Sequence, residues 1–359
     1  MRIAVDVSHL SHPRTGIGNY TRGSLAGLAD VAAGRHDLVG FAPANMRGGT
    51  RAIRNALAGI PIELRLLPVP FAHACRTAWS RLGRPAAERF LGRFDVLHYW
   101  DWMYPPQDQG VRTTTISDLV PLRFPQWVAP RTRSMHGAKY RDAARTCDVI
   151  FADSQFTAND VVRHLGVARE RVRVAYPAAD GRFRPEGPRA DLGRPYALAV
   201  GAPDPRKNLA ALLAAQRLFP LGLALAVVGP DARGPRRETD RDGVVRLGYV
   251  PDDELVRVYR GAAVFVYPSR FEGFGIPVVE AMASGVPCVV SSHPSLDEAS
   301  GDAAVRVDPE NPEAIARGVE RALRERDALV GRGLRHAGRF TWRETGRALL
   351  EGYEAALGE

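Results

Sequence analysis

Twice along the chain, short β-branched runs alternate with segments of helical spacing, and this repeated alternation restricts the fold more than any other feature. In the first half the strand-like runs are RIAVDVS, DLVGFAP, IELRLLP, FDVLHYW, TTTISDL and DVIFADS, with the helical NYTRGSLAGLADVA between the first two. Such alternation predicts a parallel sheet covered by helices. From residue 177 to 195 the chain becomes PAADGRFRPEGPRADLGRP, a composition typical of a linker. The rhythm then restarts, with strands PYALAVG, ALAVVGP, GVVRLGYV, VFVYP and PCVVSS among helices NLAALLAAQRLF, DDELVRVYRGA and PVVEAMASG. At 359 residues the chain is long for one core. The expected organisation is α/β, with two doubly wound Rossmann-like domains in series. Residues 1–178 form the first, 179–194 a linker and 195–340 the second. In residues 341–359, Trp342, Ala348, Leu349, Tyr353 and Leu357 recur at helical spacing, predicting a helix that packs back on the body. Ligands in open sheets of this kind bind at the carboxyl ends of the strands.

Composition narrows the class. With 45% hydrophobic and 25% charged residues the chain is globular. Its longest apolar run, LGLALAVVG, is about nine residues, well below the roughly 20 of a membrane span. Three cysteines, Cys75, Cys147 and Cys288, have no metal-type spacing and suggest no disulfide framework, so a reducing, cytoplasmic setting is expected. The opening MRIAVDVSHL, with Asp6 inside its apolar run, fits a first strand better than a secretory signal. The net charge of +9 is uneven: residues 1–185 carry 26 Lys plus Arg against 15 Asp plus Glu, the remainder 23 against 25. A basic first half suits nucleic acid, anionic lipid or an acidic acceptor, or it is an Arg-rich solvated surface. Nucleic-acid binding predicts aromatics interleaved with basic residues in an exposed stripe. The charge lies instead within an ordinary strand–helix pattern, so no nucleic acid is expected. Only two lysines occur, Lys139 and Lys207.

Chemistry concentrates in SRFEGFGIPVVEAMASGVP, residues 269–287. Pro277 suits the first turn of a helix and Gly285 its end. Residues 271–275 then form a strand-to-helix turn in which Gly273 and Gly275 admit a ligand close to the backbone. The amides near Gly275 and Ile276 would face outward with the helix dipole behind them and welcome an anionic group there. Glu272 and Glu280, with seven residues between them, contradict a bare phosphate site. A ligand with both hydroxyls and phosphates resolves the conflict, carboxylates taking the hydroxyls and amides and cations the phosphates. A nucleotide sugar has both parts. The structural alternative makes Glu280 a surface helix residue and Glu272 a partner of Arg270. A second constellation, GAPDPRKNL at residues 201–209, follows a strand and opens a helix, setting Gly201, Arg206 and Lys207 at a sheet edge. Two adjacent cations at a helix start disfavour it unless an anion compensates them, and a diphosphate would. A third, HPRTGIGNYT, supplies a Gly-x-Gly turn with Gly16 and Gly18 as a further phosphate or acceptor wall.

Together these motifs resemble glycosyltransferase family 4, retaining nucleotide-sugar transferases with the GT-B fold of two Rossmann-like domains facing a central cleft. The likeness is carried by SRFEGFGIPVVEAMASGVPCVVSS, GAPDPRKNL, LGYVPDDELVRVY and DEASGDAAVRVDPENPEAIARGV, and upstream by TGIGNYT, TTTISDLVPLRFP and FADSQFTANDVVRHLGV. It implies that Arg206 and Lys207 hold the donor diphosphate, Glu280 the ribose, and Glu272 with the amides of Phe274, Gly275 and Ile276 the sugar, with Gly273 beside them. The backbone near Tyr249 and Val250 would meet the base, Gly16 and Gly18 would close on the donor, and Asp118 joins Arg206, Lys207 and Glu272 as a catalytic residue. No metal or separate cofactor is implied. Relatives usually carry His-Asp where this chain has Ser117-Asp118, which bears on the identity of the sugar. His98, at another strand end, is a candidate replacement. The expected reaction moves a hexose, with GDP-mannose or a UDP-sugar as donor, to a glycan, lipid-linked saccharide or small glycosylated acceptor. The competing readings are a sugar-nucleotide-modifying enzyme such as an epimerase and a basic nucleic-acid-binding module. Residues 72–94, which mix Arg with Trp79, Leu82 and Phe90, suit peripheral contact with the inner membrane face or a helix with one core face.

Overall fold

The computed structural model describes residues 1–11, 16–46, 48–100, 102–202, 204–229 and 243–358. Two compact units divide the chain, one made of Met1–Pro177 with Thr341–Glu359 and the other of Ala178–Phe340.

Unit 1 holds a parallel sheet of seven strands: β1 (Arg2–Asp6), β2 (Asp37–Asn45), β3 (Glu63–Val69), β4 (Val96–Tyr99), β5 (Val111–Ile116), β6 (Val149–Ala152) and β7 (Val172–Val174). Their order is β3-β2-β1-β4-β5-β6-β7, so the winding direction reverses between β1 and β4. Central strands of such a sheet are covered on both faces and need apolar side chains at consecutive positions. Ile3, Ala4 and Val5 in β1 and Ile150, Phe151 and Ala152 in β6 are accordingly buried in succession. The helix Trp342–Leu357 belongs to this unit and starts on a threonine N-cap, the Thr341 hydroxyl accepting from the Glu344 amide at 3.2 Å. It meets the helix Gly16–Ala32 backbone to backbone. A Cβ on Gly27 would lie 1.7 Å from the Trp342 carbonyl oxygen, and one on Gly346 2.2 Å from the Gly27 carbonyl carbon. Only glycine allows that approach.

Unit 2 repeats the plan with six parallel strands: β8 (Tyr196–Val200), β9 (Ala224–Val228), β10 (Val244–Gly248), β11 (Val264–Tyr267), β12 (Cys288–Ser291) and β13 (Ala304–Val307). The order β10-β9-β8-β11-β12-β13 places its reversal between β8 and β11. Carboxyl ends of adjacent strands are tied to one another, the Gly201 amide donating to the Val228 carbonyl and the Gly229 amide to the Gly248 carbonyl, each at 2.9 Å.

The segment expected as a linker, residues 179–194, is instead a strap on unit 2. The Ala190 amide donates to the Arg257 carbonyl at 2.9 Å, and the Arg260 guanidinium holds the carbonyls of Arg184 and Arg182 at 2.7 and 2.8 Å. Arg182 pairs with Asp252 and Asp253 in the first turn of the helix Asp252–Gly261, where acidic side chains complement the helix dipole. Two edge strands, β7 and β13, were absent from the sequence reading. Among the described residues no helix is long and apolar enough to cross a membrane, no cluster of three or more His, Cys, Asp or Glu is placed to hold a metal ion, and all three cysteines are free thiols.

Candidate functional site

The carboxyl ends of β8 and β11, the strands flanking the reversal in unit 2, gather the charged residues. After β8 the chain makes one 3₁₀ turn, Pro205–Lys207, begun by Asp204, whose carboxylate accepts from the Arg206 amide at 2.9 Å and from Arg206 Nε at 3.0 Å. Gly201 carries no Cβ, which would sit 3.3 Å from Lys207 Cγ, so the lysine stem lies against the strand end. Lys207 Nζ donates to Glu272 Oε1 at 2.7 Å and to the Tyr267 hydroxyl. The turn carrying Glu272 is fastened to the same loop, the Arg270 amide donating to the Arg206 carbonyl at 2.8 Å and the Glu272 amide to Ser295 Oγ at 3.0 Å.

Two expectations change here. The adjacent cations are compensated by the chain itself, Arg206 through Asp204 and Lys207 through Glu272, so their proximity does not by itself demand an external anion. The alternative partner for Glu272 is also excluded, because Arg270 forms a two-pronged pair with Glu310 at 2.6 and 2.8 Å. Electrostatics hold the Lys207–Glu272 pair charged. Burial works against the Lys207 ammonium, but Glu272 and Tyr267 more than offset it and raise its pKa. Burial likewise opposes the Glu272 carboxylate, and Lys207 with Arg206 prevails to hold it below the usual range.

Gly275 has φ 108° and precedes the helix Ile276–Ala283, whose Pro277 lies in the first turn. A Cβ there would fall 2.6 Å from Leu296 Cδ2, so both conformation and packing require glycine. The Phe274 side chain is buried edge-on against Phe340. Glu280 lies in the same helix, is 8% exposed, and accepts from the Tyr259 hydroxyl at 3.0 Å. Burial raises its carboxyl to about 7, opposed by the Tyr259 hydrogen bond. It is therefore no surface helix residue.

Glu280 and Lys207 stand at opposite ends of a row of rings. Tyr259, Phe265 and Tyr267 follow one another at centroid spacings of 5.6 Å, with the Tyr259 hydroxyl on Glu280 and the Tyr267 hydroxyl on Lys207. Sequence reasoning missed both tyrosines. The signal was present for Tyr267, the last residue of β11, where a polar tip at the carboxyl end of a buried strand is unusual. Tyr249 and Val250 follow β10, the outermost strand, two positions from β8. Tyr249 is 60% exposed.

In unit 1, Gly16 and Gly18 lie within the first turn of the helix Gly16–Ala32, which corrects the expected strand-to-helix turn. Residues 12–15 of that motif lie outside the described residues. Asp118 Oδ1 accepts from the Val120 amide at 2.9 Å, and its carbonyl from the Tyr140 hydroxyl at 3.1 Å. His98 is fully buried within the sheet, its nitrogens on Thr113 and Thr115 at 2.9 and 3.1 Å, and burial with nearby Lys139 pulls its pKa well down. It is a neutral core histidine, not a ligand for a substrate.

Two parallel α/β units, one carrying a charged pair at its strand reversal, define the GT-B class of glycosyltransferase. Residues 15–182 match the model of Glycosyltransferase Family 4 and residues 182–330 that of Glycosyl transferases group 1. O-antigen chain mannosyltransferase B of Escherichia coli is 28% identical over 381 residues, covering 99% of this chain and 100% of its own. D-inositol 3-phosphate glycosyltransferase of Nocardia farcinica is 34% identical over 323 residues, covering 77% of this chain and 70% of its own. Among solved structures, Anabaena HepE in complex with UDP-glucose matches with a TM-score of 0.72 at 14% identity, over 99% of this chain and 100% of that one. The chain belongs to glycosyltransferase family 4.

Proposed function

We propose that the chain is a retaining, metal-independent hexosyltransferase that takes a hexose from a nucleotide sugar, GDP-mannose or a UDP-sugar, and transfers it to a glycan or lipid-linked acceptor. The Lys207–Glu272 pair carries this reading. A pyrophosphate arriving at the β8 edge shares Lys207 with Glu272 and draws on Arg206, which leaves Glu272 to accept from sugar hydroxyls. Charge that develops on the departing nucleotide meets two cations already in place, the stabilisation that matters most in a transition state of this kind. Glu280, buried and half-ready to ionise, accepts from the ribose diol. The amides of Phe274, Gly275 and Ile276 face the sugar, and the leaving phosphate takes the acceptor proton. Mannose as the transferred sugar draws support from the mannosyltransferase relative, and a uridine donor from the HepE complex with UDP-glucose. Unit 1 takes the acceptor, in the cytoplasm and at an anionic membrane face, with residues 72–94 as the contact.

A panel of UDP-, GDP-, ADP- and TDP-sugars read by thermal shift tests the reading. One donor stabilises the protein, and Lys207→Ala and Glu280→Ala each weaken that donor by about tenfold or more, as expected for loss of a charge-assisted contact. Absence of a shift with every donor would refute it.

A further inference from the structure

The last residue of β11 is a tyrosine in a run that packing alone would fill with apolar side chains. Val264, Phe265 and Val266 are fully buried, Tyr267 is 2% exposed, and its ring stacks on Phe265 at a centroid spacing of 5.6 Å. Phenylalanine would serve that packing equally well. The hydroxyl adds a contact to Lys207 Nζ, which also lies 4.8 Å from the centre of the same ring. A phenol oxygen taken out of water costs free energy that its partner must offset, so the role of the hydroxyl is to be sought at Lys207.

An ammonium group has three protons to place. Lys207 gives one to Glu272 Oε1 at 2.7 Å and one to the Tyr267 hydroxyl. Its stem has little freedom, since it runs along Gly201, where even a Cβ would come within 3.3 Å of Cγ. A tetrahedral ammonium held by its stem and by two of its protons has one direction left for the third. The Lys207 side chain keeps 20% of its surface exposed against 9% for Glu272, so an approaching ligand reaches the lysine. Tyr267 contributes direction rather than charge. Burial, with Glu272 close by, pushes its pKa up, so the phenol stays protonated and neutral, and the balance of charge is left to Glu272.

We propose that Tyr267 is a positioning residue for the donor diphosphate: with Glu272 it engages two protons of Lys207, so that the third points at the phosphate that carries the sugar. The inference rests on the reading that the β8 edge receives a nucleotide sugar. Without the hydroxyl, Lys207 keeps its charge and its pair with Glu272 but swings towards the carboxylate, and the third proton loses its aim. General attraction of the cation for the diphosphate survives, while the short, directional hydrogen bond to the distal phosphate weakens. A nucleoside monophosphate lacks that phosphate and is indifferent to the change. Tyr259 makes the contrast, since its hydroxyl meets Glu280 at the other end of the row of rings, and the ribose is common to mono- and diphosphates.

The test is calorimetric titration of the full chain with the di- and monophosphates of uridine, guanosine, adenosine and thymidine. Wild type binds one diphosphate about tenfold or more tightly than the matching monophosphate, as expected for a charge-assisted contact. Tyr267→Phe weakens that diphosphate about fivefold, the worth of one net hydrogen bond, and moves the monophosphate by less than about twofold. Lys207→Met removes the preference, and Tyr267→Phe adds nothing on top of it, because the two groups act through one contact. Tyr259→Phe deletes the same atom from a ring of the same row, yet it weakens both nucleotides alike and leaves their ratio at the wild-type value. The monophosphate titrations also report that each variant is folded. A Tyr267→Phe protein with the wild-type ratio, a further loss when it is combined with Lys207→Met, or a wild type without preference for the diphosphate would each overturn the proposal. A wild type that binds none of the nucleotides overturns the donor reading itself, and the proposal with it.

Discussion

At the scale of single residues, the proposed donor site in unit 2 would couple binding to pH through Glu280. Its folded pKa of about 7 lies above the ordinary value for glutamate, so between those values the native state binds more protons than the unfolded one. Stability from this group is therefore highest at low pH and falls as pH rises through about 7. On the proposed function donor affinity runs the other way, because the ionised carboxylate is the better acceptor for a diol. Glu280→Gln is expected to raise Tm at pH 8 by a few degrees while weakening the donor about tenfold and removing the pH dependence of its Kd. Melting curves and donor titrations at pH 5.5 and 8 check both signs; a Gln variant that is less stable at pH 8, or whose donor Kd still changes with pH, would be against it. Motif spacing set the glutamates, Arg206 and Lys207 near strand ends, and the structure brings Lys207 and Glu272 together beside β8 and β11. That Lys207 and Glu272 neutralise each other was not legible in the sequence, since the two are 65 positions apart and a motif does not reveal which counter-ions the chain supplies.

At the scale of elements, alternation of short apolar runs with helical spacing gave eleven of the strands, because buried parallel strands must be apolar on both faces. The two missed, β7 and β13, are edge strands of three and four residues whose mixed burial breaks the pattern. The residue 179–194 strap misled because Pro, Gly and Arg compose linkers, whereas here the ties are made by Arg182 and Arg260, which a compositional reading counts as solvent-facing. Helix contacts are less visible still. Nothing in GLADVA tells that Gly27 lies under the Trp342 carbonyl, yet that approach leaves no room for a single methyl group. Gly27→Ala should separate the two helices and cost about 1–3 kcal/mol, the usual range for overpacking. Surface Gly34→Ala provides a reference in open space, where only its φ of 72° strains the backbone. Urea denaturation of both variants measures the difference, and a Gly27→Ala protein as stable as wild type would refute the close contact.

At the scale of the whole molecule, the surplus of positive charge in residues 1–185 coincides with unit 1, where the helix Ala72–Leu82 is flanked by exposed apolar side chains, Phe71 at 82% and Leu82 at 75%. Basic charge beside exposed apolar groups is the combination that adsorbs to anionic bilayers. Vesicles of phosphatidylglycerol and phosphatidylcholine should sediment with the protein, pure phosphatidylcholine should not, and Phe71→Ser with Leu82→Ser should reduce binding severalfold; equal binding to both lipids would refute the contact. Two doubly wound units were readable from the rhythm of the sequence, whereas the return of the last helix to the first unit appeared only as a helix that packs somewhere on the body. That return has a consequence for biosynthesis. A ribosome delivers every residue of unit 2 before it delivers the helix Trp342–Leu357, so nascent unit 1 keeps its Gly23–Gly27 groove uncovered throughout the synthesis of its neighbour.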